Sequence, residues 1–241
     1  MPRRDAAAHG PPGADHRVTF EQVAILGGTG PEGRGLALRF ARAGVPVVIG
    51  SRDAARAAEV ADALAPGDGL ALSGAANADA AAEAAIVLVA VPWDGHEGTL
   101  RALKDVLAGK VVVDIVNPLE FDAQGPVTIR VAEGSAAEQA AALLPDSTVL
   151  AGFHHVSAKH LLDESHAVDT DVLVCGDDRA AKDRVLALAE RIPGVRGVDA
   201  GPLRVAHILE DWTAALISVN RVYRANTGIR LTDLDPARRR P

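Results

Sequence analysis

Cysteine occurs once in the 241 residues, at Cys175. A lone thiol cannot close a disulfide within one subunit or build a multi-thiolate metal centre, and it suits a reducing compartment. Aromatic residues amount to 3%, so the large planar groups stand out. Trp93 divides between core and ligand contact, whereas Trp212 and Tyr223 read as core fillers. No apolar run approaches the roughly 20 residues that span a bilayer. The opening stretch MPRRDAAAHGPPGADHR has no apolar centre of the kind a secretory signal carries. Positive charge is not in excess either, since 25 Lys and Arg against 32 Asp and Glu leave a formal charge of -7. Such a field repels nucleic acid and anionic membrane. The expectation is a cytoplasmic protein without nucleic-acid or membrane partners, and any anion it holds must sit in a local pocket.

The chain does have ample core material, 48% apolar, with apolar runs and helical patterns alternating from residue 22 onward. Val23 to Leu26 reads as a strand, Pro31 to Ala43 as a helix, Pro46 to Ile49 as a strand and Asp53 to Leu64 as a helix. Leu70 to Ser73, Ile86 to Val91 and Val111 to Val116 continue the strands, with helical patterns at Asn77 to Ala84 and Gly95 to Leu107. Runs apolar on nearly every residue suit parallel strands covered on both faces. The pattern then loosens. It predicts helices at Gly134 to Leu144, Asp178 to Arg191 and Leu203 to about Arg224, and strands at Thr148 to Gly152 and Asp171 to Cys175, with a short segment at Val195 to Asp199. Leu209, Leu216, Ile217 and Val219 would form the buried stripe of the last helix. The fold class is α/β, a Rossmann-like doubly wound and mainly parallel sheet. The expected division is a loose tail at 1–20, a nucleotide-binding domain at 21–172 and a smaller C-terminal region at 173–241. The Arg238 to Arg240 run reads as a solvated end.

VAILGGTGPEGRGLALR places its glycines between the first strand and the first helix. Gly28, Gly30 and Gly33 fit G-x-G-x-x-G, in which the first allows a tight turn, the second lets the backbone approach a pyrophosphate and the third permits close helix and sheet packing. Pro31 sits in the first helical turn, where proline is tolerated. The helix N-terminus offers unpaired N–H groups to phosphate. No Gly-Lys-Ser/Thr ending follows, which disfavours a P-loop. At the end of the second strand, where an acidic residue would grip the ribose of NAD, stand Gly50, Ser51 and Arg52. A hydroxyl and a cationic fork suit a 2′-phosphate, hence NADP, and Thr29 and Arg56 are placed to add contacts. The competing reading makes Ser51 a helix cap and leaves Arg52 solvated.

ILGGTGPEGRGLALR, VIGSR, VAVPW, VCGDD and DAGPL, in this order, resemble the NADPH:coenzyme F420 oxidoreductase family across Glu21 to Leu231. The resemblance implies hydride transfer between NADP and a deazaflavin. It places Thr29, Gly30, Pro31 and Glu32 in the pyrophosphate loop and Ser51, Arg52 and Arg56 around the 2′-phosphate. Pro92 and Trp93 fall on a turn near the cofactor, and Leu119 and Ala158 on the nicotinamide side. His154, Val156 and Thr213 fall where the deazaflavin ring would lie, covered by the last part of the chain. A homodimer is implied as well. His155, Ser157 and a shortened segment after Arg221 depart from the family pattern, all on the substrate side.

Hydride transfer between two heterocycles needs orientation more than acid-base groups, so no catalytic side chain is expected. The histidines 154, 155, 160 and 166 lack metal-site spacing, and no metal is expected. Lys159 reads as surface, and Glu210 and Asp211, consecutive on a helix, as solvated or dimer-facing. Two other functions stay open on residues alone. One is an NADPH-dependent reductase of a small carbonyl, imine or flavin, and the other a non-catalytic NADP-binding sensor or interaction module.

Overall fold

The computed structural model describes residues 21–165, 167–235 and 238–239; the expected tail at 1–20 lies outside them. In chain order the elements are β1 Val23–Leu26, α1 Pro31–Arg42, β2 Val47–Ser51, α2 Ala54–Leu64, β3 Leu72–Ala76, α3 Asn77–Glu83, β4 Ile86–Val89 and α4 Trp93–Leu107. There follow β5 Val111–Asp114, β6 Leu119–Phe121, β7 Pro126–Thr128, α5 Ala136–Leu143, β8 Thr148–Gly152 and α6 Ala158–Leu162. β9 Thr170–Gly176, α7 Arg179–Ala189, β10 Val195–Gly201, a 3-10 turn Leu203–Val205 and α8 Ala206–Tyr223 complete the elements among the described residues.

Eight strands form one sheet in the order β10-β9-β8-β5-β4-β1-β2-β3. Every neighbouring pair is parallel except β8 with β9, which is antiparallel. The α/β, mainly parallel expectation therefore holds. The period of two along β1 decides which layer each side chain joins. Val23 and Ile25 pack with Leu36 and Phe40 of α1, while Ala24 and Leu26 pack with Ala80 of α3 and Leu100 of α4. With both faces covered, the strand has no reason to alternate polar with apolar residues. The expected boundary between 172 and 173 falls inside β9, whose neighbours β8 and β10 belong to the same sheet.

Chain order reverses at β1, which lies between β2 and β4. The crevice beyond the carboxyl ends of these strands is where an open α/β sheet takes a ligand. Two extended segments went unread in the sequence. β6 and β7 form an antiparallel hairpin outside the main sheet, closed by Asp122 Oδ1 accepting from the Gln124 and Gly125 amides.

The last helix departs from expectation. Leu209 is buried, but Leu216 and Ile217 are half-buried and Val219 is 40% exposed. Trp212 and Tyr223, expected in the core, are 38% and 75% exposed. Glu210, expected to be solvated or dimer-facing, is instead buried within the chain and accepts from the Ala136 and Ala137 amides at 3.1 and 3.3 Å. It satisfies two first-turn donors of α5 that would otherwise be orphaned. Burial raises its carboxyl to about 8. Arg239, expected solvated, donates to Asp199 and pairs with Asp183.

Candidate cofactor and substrate site

β1 ends in a loop whose backbone is tied down on two sides. The Gly28 amide donates to the carbonyls of Ile25 and Gly50, at 3.1 and 3.0 Å, and the Gly27 amide to Asn77 Oδ1 at 3.3 Å. Gly27 has φ +67, so its chain reversal uses the left-handed region that glycine enters without penalty. A side chain on Gly33 would bring its Cβ to 2.5 Å from Gly28 Cα, the close packing expected of the third glycine. Gly30 differs from both. A Cβ there would meet nothing nearer than the Gly27 carbonyl at 3.8 Å, because the residue borders open space. It is the N-cap of α1 and makes no side-chain cap, so the first-turn donors of that helix remain available.

That space is a cleft of about 640 Å³ lined by Thr29, Gly30, Pro31, Glu32 and Gly33, by Ser51 and Arg52 at the end of β2, and by Pro92 at the start of α4. Asn77, Asp94 and Thr99 also line it. Asn77 was missed in the sequence; its signal is a buried carboxamide directly after the small residues of β3. A second depression, holding Ser51 and Arg52 with Gly98, Ala102 and Leu103 of α4, continues the cleft outward.

Ser51 is not the cap of α2. Asp53 caps α2, accepting from the Arg56 amide at 3.1 Å. Ser51 Oγ accepts from the Asp53 amide at 3.2 Å, and its own O–H stays available to donate. Arg52 is exposed on the cleft rim and makes no ion pair or hydrogen bond among the described residues. Arg56 lies on the exposed side of α2, 3.7 Å from Glu59, and does not line the cleft. Gly28 lies beneath the loop. Glu32 points its Oε1 into a buried position without a hydrogen-bond partner, and burial raises its carboxyl to about 8.

Comparison with known proteins decides the family. Residues 22–118 match the family model described as NADP oxidoreductase coenzyme F420-dependent. An F420-dependent NADP reductase of Methanothermobacter marburgensis is 43% identical over 221 residues, 88% of this chain and 99% of that protein. The chain belongs to the F420-dependent NADP reductase family. Another F420-dependent NADP reductase, from Methanocaldococcus jannaschii, is 40% identical over 89% of this chain and 99% of its own length. A crystal structure of a putative F420-dependent NADP-reductase from Arthrobacter sp. FB24 superposes with a TM-score of 0.73 at 29% identity, covering 88% of this chain and 99% of the other.

In this F420-dependent NADP reductase family member the residues expected on the substrate side come from separate elements. β8 ends at Gly152, and Phe153 follows with φ +65, an uncommon conformation for a bulky residue. Its ring, fully buried, meets Phe40 edge-on at 6.1 Å. The reversal turns His154 inward, where the ring is buried and neither nitrogen finds a hydrogen-bond partner. Its carbonyl accepts from Asn117 Nδ2 at 3.1 Å and from Thr213 Oγ1 at 2.9 Å. Thr213 thus ties α8 to the β8 turn. Val156 is buried in the core beside these groups.

Two departures from the family pattern have local explanations. His155 Nε2 bonds the Asp171 carbonyl at 2.7 Å, and Ser157 caps α6. Ala158 borders a shallow depression with Pro31, Lys159 and Leu162, so Pro31 is common to it and the cleft. Arg39 fixes α6 from below, donating to the carbonyls of His160, Leu161 and Asp163. Leu119 opens the β6–β7 hairpin, and Trp93, half-buried, stacks on His96. None of Leu119, Trp93, His154, Val156 or Thr213 lines the main cleft.

Burial lowers His154 to about 4, against an ordinary value of 6.5. Between those values the unfolded chain binds the proton and the folded one does not, so stability is full above pH 6.5 and falls as pH drops toward 4. His154→Leu should flatten this acid limb in urea titrations at pH 4.5 and 7.5. An unchanged pH dependence in the variant would show that other groups carry it.

Proposed function

We infer that this chain is an oxidoreductase that transfers hydride between NADP(H) and the deazaflavin coenzyme F420. The observation that supports it most is the unpaired Arg52 guanidinium beside the Ser51 hydroxyl, at the mouth of a cleft whose floor is the Gly30 loop. Open space over Gly30, where an added Cβ would meet nothing nearer than 3.8 Å, supports a dinucleotide lying close to this backbone. Thr29, Gly30, Pro31, Glu32 and Gly33 would hold the pyrophosphate, and Ser51 and Arg52 the 2′-phosphate, with Arg56 within the same turn of chain. Pro92, Trp93, Leu119 and Ala158 would border the nicotinamide. His154, Val156 and Thr213 would back the deazaflavin, with the C-terminal 173–241 region as its cover.

When both ligands are bound, their own ring carbons supply the chemistry, one donating and the other accepting the hydride. The chain's residues contribute orientation and exclusion of water. The first-turn N–H groups of α1 and the Arg52 fork would fix one end of the dinucleotide. The turns after β5 and β8 would border the other. No side chain needs to move a proton, which accords with His154 being held neutral. Mixing the protein with NADPH and oxidised F420 should bleach the visible deazaflavin band, with NADH a far poorer donor. Cofactor binding without bleaching, or consumption of another acceptor alone, would defeat this reading.

We further propose a homodimer and a cytoplasmic setting. Val219, Val222 and Tyr223 of α8 and Phe121 and Val127 of the β6–β7 hairpin leave large apolar groups exposed, Val222 and Tyr223 at 75% each. A patch of this kind fits a second copy of the same surface. Cys175 is buried, and its thiol is pushed up to about 12 by burial, which leaves it inert. No helix among the described residues is long and apolar enough to cross a membrane. Val222→Asp should convert the dimer to monomer in sedimentation equilibrium without loss of helix content. A wild-type monomer at micromolar concentration would rule the dimer out.

A further inference from the structure

His96, in the first turn and a half of α4, and Asp114, the last residue of β5, are both fully buried, and nothing proposed above uses either. His96 Nε2 lies 2.6 Å from Asp114 Oδ2, and Nδ1 lies 3.0 Å from Gln139 Oε1. The amide of Gln139 is oriented by Glu133, whose Oε2 accepts from its Nε2 at 3.3 Å. Turning that amide over would set Oε1 against a carboxylate. Both ring nitrogens of His96 therefore face acceptors, whereas a neutral imidazole carries one N–H. Protonation on both nitrogens satisfies the whole arrangement.

The surroundings favour that charge. Burial opposes it, but the hydrogen bond and charge of Asp114, the Gln139 contact and the nearby Glu210 carboxyl outweigh burial and hold His96 above its ordinary value. Of the other titratable groups that feel Asp114, His154 is kept neutral by burial and the Glu210 carboxyl is raised to about 8, chiefly by burial. The Trp93 indole stacks on the His96 ring, centroids 5.4 Å apart and planes 29° from parallel. Asp114 uses its second oxygen, Oδ1, to accept from the Val116 amide at 3.0 Å. One residue further, Asn117 holds the His154 carbonyl, which Thr213 also holds. The pair thus fastens the α4 turn bearing Pro92 and Trp93 to the turn that leads from β5 toward Leu119, and through Asn117 to the β8 turn and α8.

We infer that the buried His96–Asp114 ion pair is a positioning element for hydride transfer, clamping together the α4, β5 and β8 turns against which the two reacting rings must be aligned. This rests on the hydride-transfer reading above. Neither residue lines the main cleft, so their effect falls on alignment, to which rate is steeply sensitive, and not on affinity.

The first test is spectroscopic. In protein labelled with nitrogen-15 histidine at pH 6.5, the midpoint of an ordinary imidazole, the His96 signals, identified by their loss in His96→Gln, should show both nitrogens predominantly protonated. A neutral ring at that pH overturns the inference. The second test is kinetic. Asp114→Asn should slow single-turnover hydride transfer from NADPH by about tenfold or more while its Kd for NADP stays within about threefold. Gln139→Met, which removes only the outer acceptor and keeps the variant series informative if Asp114→Asn does not fold, should lower the His96 pKa and slow transfer by a smaller factor. A folded variant with wild-type transfer, or one whose rate and affinity fall together, refutes positioning. Fluorescence lifetime of bound NADPH, read with no acceptor present, should also change in these variants. If wild-type protein binds NADPH but leaves the deazaflavin oxidised, the F420 reading fails while this lifetime still decides the role of the pair.

Discussion

Gly30→Val should abolish NADP(H) binding while leaving the protein folded. The backbone at Gly30 has φ -74 and ψ 167, a conformation open to any L residue, and the nearest atom to an added Cβ is 3.8 Å away. The apo protein therefore admits a valine there with little strain. The two methyl groups would occupy the space through which a pyrophosphate reaches the first-turn donors of α1. Losing that approach should weaken NADPH by at least about 100-fold, roughly 2.7 kcal/mol, as read by quenching titration, with a melting temperature within a few degrees of wild type. Gly33→Ala is the contrasting case. Its Cβ would lie 2.5 Å from Gly28 Cα, so this smaller change should cost stability by forcing helix and loop apart. A Gly30→Val protein that retained micromolar NADPH affinity would remove the loop from the binding site.

Arg52→Ala should weaken NADPH by about 10- to 150-fold, the 1.5 to 3 kcal/mol of a charge-assisted contact, and leave NADH nearly unchanged. The contrast follows from the position of the side chain. Asp53 already caps α2, and Arg52 makes no ion pair among the described residues, so its removal disturbs no helix start and strands no carboxylate. What it removes is a cation at the cleft rim, felt only by a ligand with an additional phosphate. Parallel titrations with both cofactors measure the difference. Equal losses for NADH and NADPH would mean that Arg52 acts on the loop and not on the 2′-phosphate.

The cofactor half of the molecule was legible because its determinants are local. A strand, a glycine turn, a helix and a second strand occupy consecutive residues, and Gly28 and Gly33 pack against each other within that span. The remainder depended on contacts distant in sequence. Residues such as Asp171 to Cys175 are apolar enough to signal a buried strand, but burial on both faces carries no information about direction, and the antiparallel step from β8 to β9 went unread. β6 and β7, three residues each, are too short for any period to emerge. Glu210 looked like a surface carboxylate because its partners, the amides of Ala136 and Ala137, lie more than 70 residues earlier. Leu216, Ile217 and Val219 announced a face that wants covering. The pattern does not say whether the cover comes from the same chain, and within this one it is incomplete.

The antiparallel join of β8 to β9 has a mechanical consequence. Because it adds the last two strands to the same ladder that carries the glycine loop, the turns after β1, β2, β5 and β8 are all anchored in one continuous eight-stranded frame, so that a push on any one of them is met by the whole sheet.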